Sequence, residues 1–135
     1  MQKWIAVAPT EIPEGKYSLD LSAGEENGLK IKLEDFSKSI NLNFGAVSAV
    51  KFLDEGVLLN TNSYFGEDFE ICRKNSFKEV LYEVEGAPFK EEIIDSAAGF
   101  LEADKIKHYL IITMNYVVEI VTQWEPTINI EKQGK

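Results

Sequence analysis

Residues 107–124 read KHYLIITMNYVVEIVTQW and form the most apolar and most β-branched run of the chain. Residues 109–113 and 116–122 are almost entirely β-branched or aromatic, which favours the packed surface of a sheet. Asn115 is the only turn-forming residue between them. The stretch therefore predicts two antiparallel strands joined by a tight turn. Because both faces are apolar, we expect this hairpin in the middle of a sheet with at least one face covered.

Two helical interpretations of the same stretch fit less well. A transmembrane helix needs about 20 consecutive apolar residues, whereas His108, Asn115, Glu119 and Gln123 interrupt this run. A buried helix is permitted by the length, but most residues from 116 to 122 have weak helix propensity because they are β-branched or aromatic. The hairpin is the preferred interpretation.

Length and composition predict one domain, spanning residues 1–135. A chain of 135 residues is long enough to bury a core without disulfides. Its one cysteine, Cys72, excludes an internal disulfide and favours a reducing compartment. Residues 1–15 lack the long apolar segment of a secretory signal. We therefore expect a cytoplasmic protein.

The charge is acidic and unevenly spread. The net charge is −9, from 23 acidic and 14 basic side chains. Residues 51–104 carry thirteen acidic and five basic side chains and hold nearly all of the excess. Such a surface repels nucleic acid and anionic lipid, and it accelerates encounter with a basic partner. The alternative is that the charge only keeps a small protein soluble.

The first third of the chain predicts a meander of three strands, each with one solvent-exposed face. Apolar and polar residues alternate there in three segments, residues 16–21, 29–33 and 40–44. Residues 4–8 also fit a short strand. Residues 46–53 fit neither period well, and we assign a strand because a good turn follows them. Residues 76–85 match a strand and a capped helix equally well, and there too we assign a strand.

Residues 88–98 predict an amphipathic helix. Pro88 suits the first helical position, and Glu91 and Glu92 complement the helix dipole in the first turn. Gly99 suits the left-handed position that follows a helix. The apolar side of this helix is expected to cover one face of the sheet.

After the hairpin, we expect Pro126 to end strand character and residues 131–135 to form a polar tail. The predicted fold is α+β, with a mostly antiparallel, twisted sheet of about six to eight strands and one principal helix packed on one face.

Catalytic and metal-binding patterns are weak in this sequence. Cys72 and His108 are one candidate nucleophile and base, but a histidine at the start of a buried strand more often makes a structural hydrogen bond. Glu119, inside an apolar strand, is a candidate for acid–base chemistry. Alternatively, it faces the solvent edge or pairs with a lysine. We expect no metal and no other cofactor, because the adjacent acidic pairs lack the spacing of metal-binding loops.

Aromatic residues beside acids suggest a protein interface. Tyr64 and Phe65 stand just before Glu67, Asp68 and Glu70. Rings buried in a partner supply affinity, and carboxylates around them supply rate and selectivity. The equally weighted alternative is that both rings pack beneath their own loop.

At Asp54-Glu55, residues 107–113, residues 118–120 and Glu125-Pro126, the chain resembles the immunity proteins that bacteria encode beside polymorphic toxins, as in contact-dependent growth inhibition. The resemblance covers the last two thirds of the chain and lies in general character, because such proteins are short, acidic, cytosolic and α+β and have no catalytic motif. It implies tight binding to one cognate toxin domain, often a basic nuclease, whose active site or substrate groove is blocked.

We therefore expect a binding protein rather than an enzyme, with carboxylates standing in for nucleic-acid phosphates and two aromatic anchors. The expected partner-binding residues are Asp54, Glu55, Tyr64, Phe65, Glu67, Asp68, Glu70, Glu91 and Glu92. Two alternatives stay open. One is a small-ligand binder with an apolar pocket between helix and sheet, and the other is an enzyme that uses Glu119 or His108.

Overall fold

The computed structural model describes residues 3–7, 12, 17–54, 80–86, 88–97, 99, 105–113 and 116–132. Within these ranges the chain forms nine strands and one helix. The strands are β1 Lys3–Ala6, β2 Ser18–Gly24, β3 Gly28–Glu34, β4 Lys38–Gly45, β5 Ala49–Asp54, β6 Leu81–Glu85, β7 Lys107–Ile112, β8 Tyr116–Thr122 and β9 Thr127–Lys132, and the helix is α1 Pro88–Ser96.

The predicted hairpin is confirmed and forms the centre of a five-stranded sheet. β7 and β8 pair antiparallel, with Tyr109 opposite Ile120 and Ile111 opposite Val118. The strand order is β1-β6-β7-β8-β5, so β7 is the middle strand. The turn residue Asn115 lies outside the described residues.

The predicted meander is also confirmed, and it forms a second sheet. β2, β3 and β4 pair antiparallel, and β9 adds to β4, giving the order β2-β3-β4-β9. The apolar side chains of this sheet, such as Leu33 and Ile40, share one buried cluster with Ile111 and Ile120 of the hairpin. The two sheets therefore pack face to face around a common core.

The helix covers the other face of the five-stranded sheet, as expected. Phe89 of α1 forms a separate buried cluster with Ile106 and Val121, and Ile93 packs against it. Gly99 has a φ of 94°, which is the left-handed conformation that the sequence predicted after the helix. The hairpin is thus covered on one face by α1 and on the other by the four-stranded sheet.

The strand predictions for the segments around the hairpin are confirmed where the structure describes them. Residues 4–8 contribute to β1, residues 46–53 to β5 and residues 76–85 to β6. β1 pairs with β6 at one edge of the five-stranded sheet, and β5 pairs with β8 at the other. Residues 76–79 lie outside the described residues.

The prediction that strand character ends at Pro126 is wrong. Strand β9 begins directly after it and pairs with β4, with Asn129 opposite Asn41 and Thr127 opposite Asn43. The proline causes no loss, because it precedes the strand and its missing N–H removes no ladder hydrogen bond. The open edge of β4 supplies the partner that makes this short segment a strand.

The α+β class, the antiparallel pairing and the single principal helix of the described residues are confirmed. The strands divide between two sheets, however, where the sequence predicted one. The chain is layered as helix, five-stranded sheet and four-stranded sheet.

Candidate functional site

A histidine and a glutamate meet inside the sheet, on the side that α1 covers. His108 lies on β7 and Glu119 on β8, one diagonal step apart in the strand register. His108 Nε2 and Glu119 Oε1 are 2.9 Å apart, and both side chains are fully buried. Diagonal neighbours on one sheet face are within reach of long side chains, so the register of the hairpin brings this pair together.

A lysine and a phenylalanine complete the cluster. Lys51 of β5 stands directly opposite Glu119, and its Nζ is 3.9 Å from Glu119 Oε2. The same ammonium lies 4.5 Å from the centroid of the Phe89 ring, and that ring meets His108 edge-on at 6.0 Å. We call Lys51, Phe89, His108 and Glu119 the Glu119 cluster.

The electrostatics of the Glu119 cluster are nearly balanced. A buried carboxylate is costly unless it is paired, and Lys51 supplies the opposite charge while remaining 29% exposed. In the tautomer that carries the proton on Nε2, the His108 ring donates to Glu119 Oε1 and Nδ1 is an acceptor. Within the described residues, His108 Nδ1 and Glu119 Oε2 have no hydrogen-bond partner.

The chemical capacity of the Glu119 cluster is limited by access. A carboxylate that orients an imidazole, with the other ring nitrogen free, is the arrangement of a general base. Here both side chains are fully buried and Phe89 lies against the ring. A hydrogen bond of His108 and a lysine partner of Glu119, both considered from the sequence, are present. Cys72 lies outside the described residues.

Three of the nine predicted partner-binding residues are described. Glu91 and Glu92 are exposed on α1, and Asp54 is exposed at the end of β5. Asp54 and Lys51 are on opposite faces of the sheet, because side chains alternate along a strand. Since Lys51 contacts the helix, Asp54 is on the other side of the sheet from Glu91 and Glu92. The remaining six, Glu55, Tyr64, Phe65, Glu67, Asp68 and Glu70, lie outside the described residues.

Two surface features were missed in the sequence. Asp95 is exposed on α1. The sequence could have indicated it, because Asp95 follows Glu91 by four residues and Glu92 by three, which places all three on one side of the helix. On β5, Phe52 is 47% exposed and Val50 is also exposed. Phe52 stacks on Tyr116 with ring centroids 4.5 Å apart. Because Val50 and Phe52 alternate with Lys51, the sequence places them on the opposite face of β5. They are exposed there because β5 is the edge strand of the five-stranded sheet, which only the strand order shows.

The described residues contain neither a metal-binding cluster nor a membrane-spanning helix. No group of three or more His, Cys, Asp or Glu side chains there is arranged to hold a metal ion. Within the same ranges, no helix combines the length and the apolar character needed to cross a bilayer.

Comparison with known proteins finds no matching family model, no matching curated protein and no matching solved structure.

Proposed function

We propose that this chain is a cytoplasmic binding protein that neutralises a basic toxin domain, as the immunity proteins it resembles do. One observation carries the proposal: the exposed side of α1 presents three carboxylates, Glu91, Glu92 and Asp95. A basic groove that normally receives nucleic-acid phosphates is complementary to such a group. The chain would act by covering that groove, without chemistry of its own.

The three carboxylates are neighbours on the helix surface. Asp95 follows Glu91 by four residues and Glu92 by three, and residues at these spacings lie next to each other. None of the three forms a salt bridge within the described residues. Like charges at these spacings destabilise a helix, so a cationic partner would relieve the repulsion among these three carboxylates.

The distribution of charge over the chain supports the same function. Residues 51–104 hold thirteen acidic and five basic side chains, and α1 belongs to this segment. A concentrated negative field raises the rate of encounter with a positively charged partner and disfavours wrong partners. Fast capture is what a cell needs against a toxin that is already in its cytoplasm.

An exposed aromatic pair offers a second contact surface. Phe52 stacks on Tyr116 at an interplanar angle of 28°, and Asp54 follows on the same side of β5. A ring beside a carboxylate is the combination expected of an interface anchor and its rim. This surface lies on the other side of the sheet from α1. Tyr64 and Phe65 remain proposed anchors on sequence grounds alone.

The proposal is tested by association kinetics with a nuclease toxin domain encoded beside the gene for this chain. We expect the association rate constant, measured by stopped-flow fluorescence, to fall steeply as NaCl rises, because salt screens steering between opposite fields. Replacing Glu91, Glu92 and Asp95 together by lysine should lower that constant by about tenfold or more at low salt.

A matched variant replaces Glu25, Glu26 and Glu131 by lysine. These residues are also exposed, they lie on or beside the four-stranded sheet, and the change in net charge is the same. We expect a much smaller loss of rate. Equal losses in the two variants, or an association rate that does not depend on salt, would contradict the acidic helix surface as the docking site.

The buried pair His108 and Glu119 favours one alternative, an enzyme. Its imidazole is hydrogen-bonded to a carboxylate, but both side chains are fully buried and Phe89 of α1 lies against the ring. Phe89, Ile106 and Val121 are buried together between α1 and the sheet, where the small-ligand alternative needs an apolar pocket. The binding function is therefore preferred over both.

A further inference from the structure

The outward face of the four-stranded sheet carries two complete rows of polar side chains. In the strand register, Ser22, Lys30, Asn43 and Thr127 stand opposite one another across all four strands. The neighbouring row consists of Asp20, Lys32, Asn41 and Asn129. Directly opposite side chains have Cβ atoms about 5 Å apart. The face is therefore a grid of hydrogen-bonding groups rather than a scatter of solvated residues.

This grid lines an open groove of about 450 Å³, which is the size of a small-molecule site. The pairing of β3 with β4 shifts register between Leu29 and Lys30. Such irregularities bend a strand and increase its twist. The shift lies beside Lys30, which lines the groove.

The first row has an excess of positive charge. Lys30 stands between Ser22 and Asn43, both uncharged, and forms no ion pair within the described residues. The acids of this face lie nearer to Lys32, which pairs with Glu34 at 3.7 Å. In a chain of net charge −9, the row around Lys30 is thus locally cationic.

Asn43 presents hydrogen-bond donors to the groove. Its Oδ1 accepts the backbone N–H of Gly45 at 2.9 Å, which leaves its NH₂ group as the free end of the carboxamide. Together with the Lys30 ammonium and the hydroxyls of Ser22 and Thr127, this makes a row of donors. A phosphate group, with three acceptor oxygens and a negative charge, is the complementary ligand.

The second row suits a different kind of group. Asp20 accepts hydrogen bonds, while Asn41 and Asn129 both donate and accept, as paired hydroxyls require. The two rows are two residues apart along each strand, or about 7 Å. That separation matches the distance from a terminal phosphate to the far hydroxyls of a five- or six-carbon sugar.

From this arrangement we propose that the groove is a binding site for a phosphorylated sugar of monosaccharide size. The phosphate lies on the row around Lys30, and the sugar hydroxyls lie on the row of Asp20, Asn41 and Asn129. The overall negative charge opposes any anion at long range. Screening confines that effect to about 8 Å at physiological salt, so contacts within the groove decide binding.

The test is calorimetric titration with ribose 5-phosphate, alongside ribose and inorganic phosphate as the two halves of the probe. We expect ribose 5-phosphate to bind at least about tenfold more tightly than either half, because each row then has its ligand. In NMR spectra, the side-chain amides of Asn41 and Asn43 should shift during the titration.

Lys30→Gln should weaken ribose 5-phosphate binding by about tenfold or more, since a charged hydrogen bond is lost. Lys132→Gln is the matched control, because it makes the same charge change in the same sheet outside the groove, and it should leave binding unchanged. Circular dichroism confirms that both variants are folded.

Three results would overturn the site: no saturable binding of ribose 5-phosphate up to about 10 mM, binding of inorganic phosphate as tight as that of the sugar phosphate, or equal weakening in the two lysine variants. Each leaves the proposed toxin binding untouched, because that function rests on α1, beyond the other face of the five-stranded sheet.

Discussion

Glu119 places a carboxylate in the interior of the sheet, where His108 and Lys51 stabilise it. Glu119 forms a hydrogen bond with His108 at 2.9 Å and an ion pair with Lys51 at 3.9 Å. Together, these two partners compensate the buried carboxylate. Removing one partner of a buried pair leaves the other without compensation. The Glu119 cluster therefore contributes to stability mainly through the penalty for breaking it.

We predict that Glu119→Ala lowers the free energy of unfolding by about 2–4 kcal/mol, because it leaves the buried His108 Nε2 without its hydrogen-bond partner and opens a cavity. The control is Glu125→Ala, which removes a carboxylate that is 77% exposed and pairs with Lys107 at 3.5 Å. Exposed pairs contribute at most about 1 kcal/mol. Urea unfolding with a constant m-value measures both. Similar small losses in the two variants would show that Glu119 is not the buried centre of its cluster.

Asp35 closes the turn between β3 and β4 and makes stability depend on pH. The Lys38 ammonium donates to Asp35 Oδ2 at 2.9 Å, and the backbone N–H of Ser37 donates to Oδ1 at the same distance. These bonds hold the pKa of Asp35 well below its usual range. The Asp35 carboxylate in turn raises the pKa of Lys38.

Because the pKa of Asp35 is lower in the folded than in the unfolded chain, its contribution to stability is fully present above the unfolded value, near pH 4. That contribution is lost as the pH falls towards the folded value. We predict that Asp35→Asn destabilises the protein at pH 7, and that the difference from the wild type shrinks below about pH 4. Lys38→Met, which removes the largest cause of the lowered Asp35 pKa, should reproduce part of the effect. A difference that stays constant from pH 7 to pH 3 in urea titrations would argue against this turn.

At the scale of elements, the turn between β2 and β3 depends on one glycine. Gly28 has a φ of 68°, and a Cβ at this position would overlap the backbone carbonyl of Gly45 in β4. The conformation and the contact each exclude a side chain. The close approach of Gly28 to Gly45 also lies beside the register shift in the β3–β4 pair.

We predict that Gly28→Ala lowers the free energy of unfolding by roughly 2–4 kcal/mol, from left-handed strain and overpacking together. Gly24 stands directly opposite Gly28 in the strand pair, and nothing lies within 4 Å of a Cβ built on it. Gly24→Ala should therefore change stability by less than about 0.5 kcal/mol. Thermal unfolding compares them, and equal losses would contradict the close approach to Gly45.

Element predictions succeeded where the signal is local. The alternation in residues 29–33 and 40–44 and the capping pattern of residues 88–98 are properties of the chain over a few turns or strand repeats, and each element was confirmed. β9 was missed because its six residues, TINIEK, become a strand only by pairing with β4. That hydrogen-bonding edge is far away in the sequence.

At the scale of the whole molecule, the layering separates three surfaces that the sequence could not place. The acidic side of α1 faces the solvent while its apolar side covers one face of the five-stranded sheet, and the polar groove faces outward from the four-stranded sheet. The aromatic pair Phe52 and Tyr116 lies at the β5 edge. Whether carboxylates distant in sequence share a surface depends on which face of the sheet each occupies. Asp54 lies apart from Glu91 and Glu92 because it is on the face of β5 opposite to the one that α1 covers.

The sequence by itself determined the central hairpin, the three-stranded meander, the amphipathic helix and the acidic character. Periodicity, turn residues and charge are local properties, which short segments of the chain show without their tertiary partners. Only the tertiary structure decided the division into two sheets, the pairing of β9, the meeting of Lys51, His108 and Glu119, and the two polar rows of the groove. These depend on the register between segments far apart in the chain, which is set by hydrogen-bond ladders and by the burial of two apolar faces against each other.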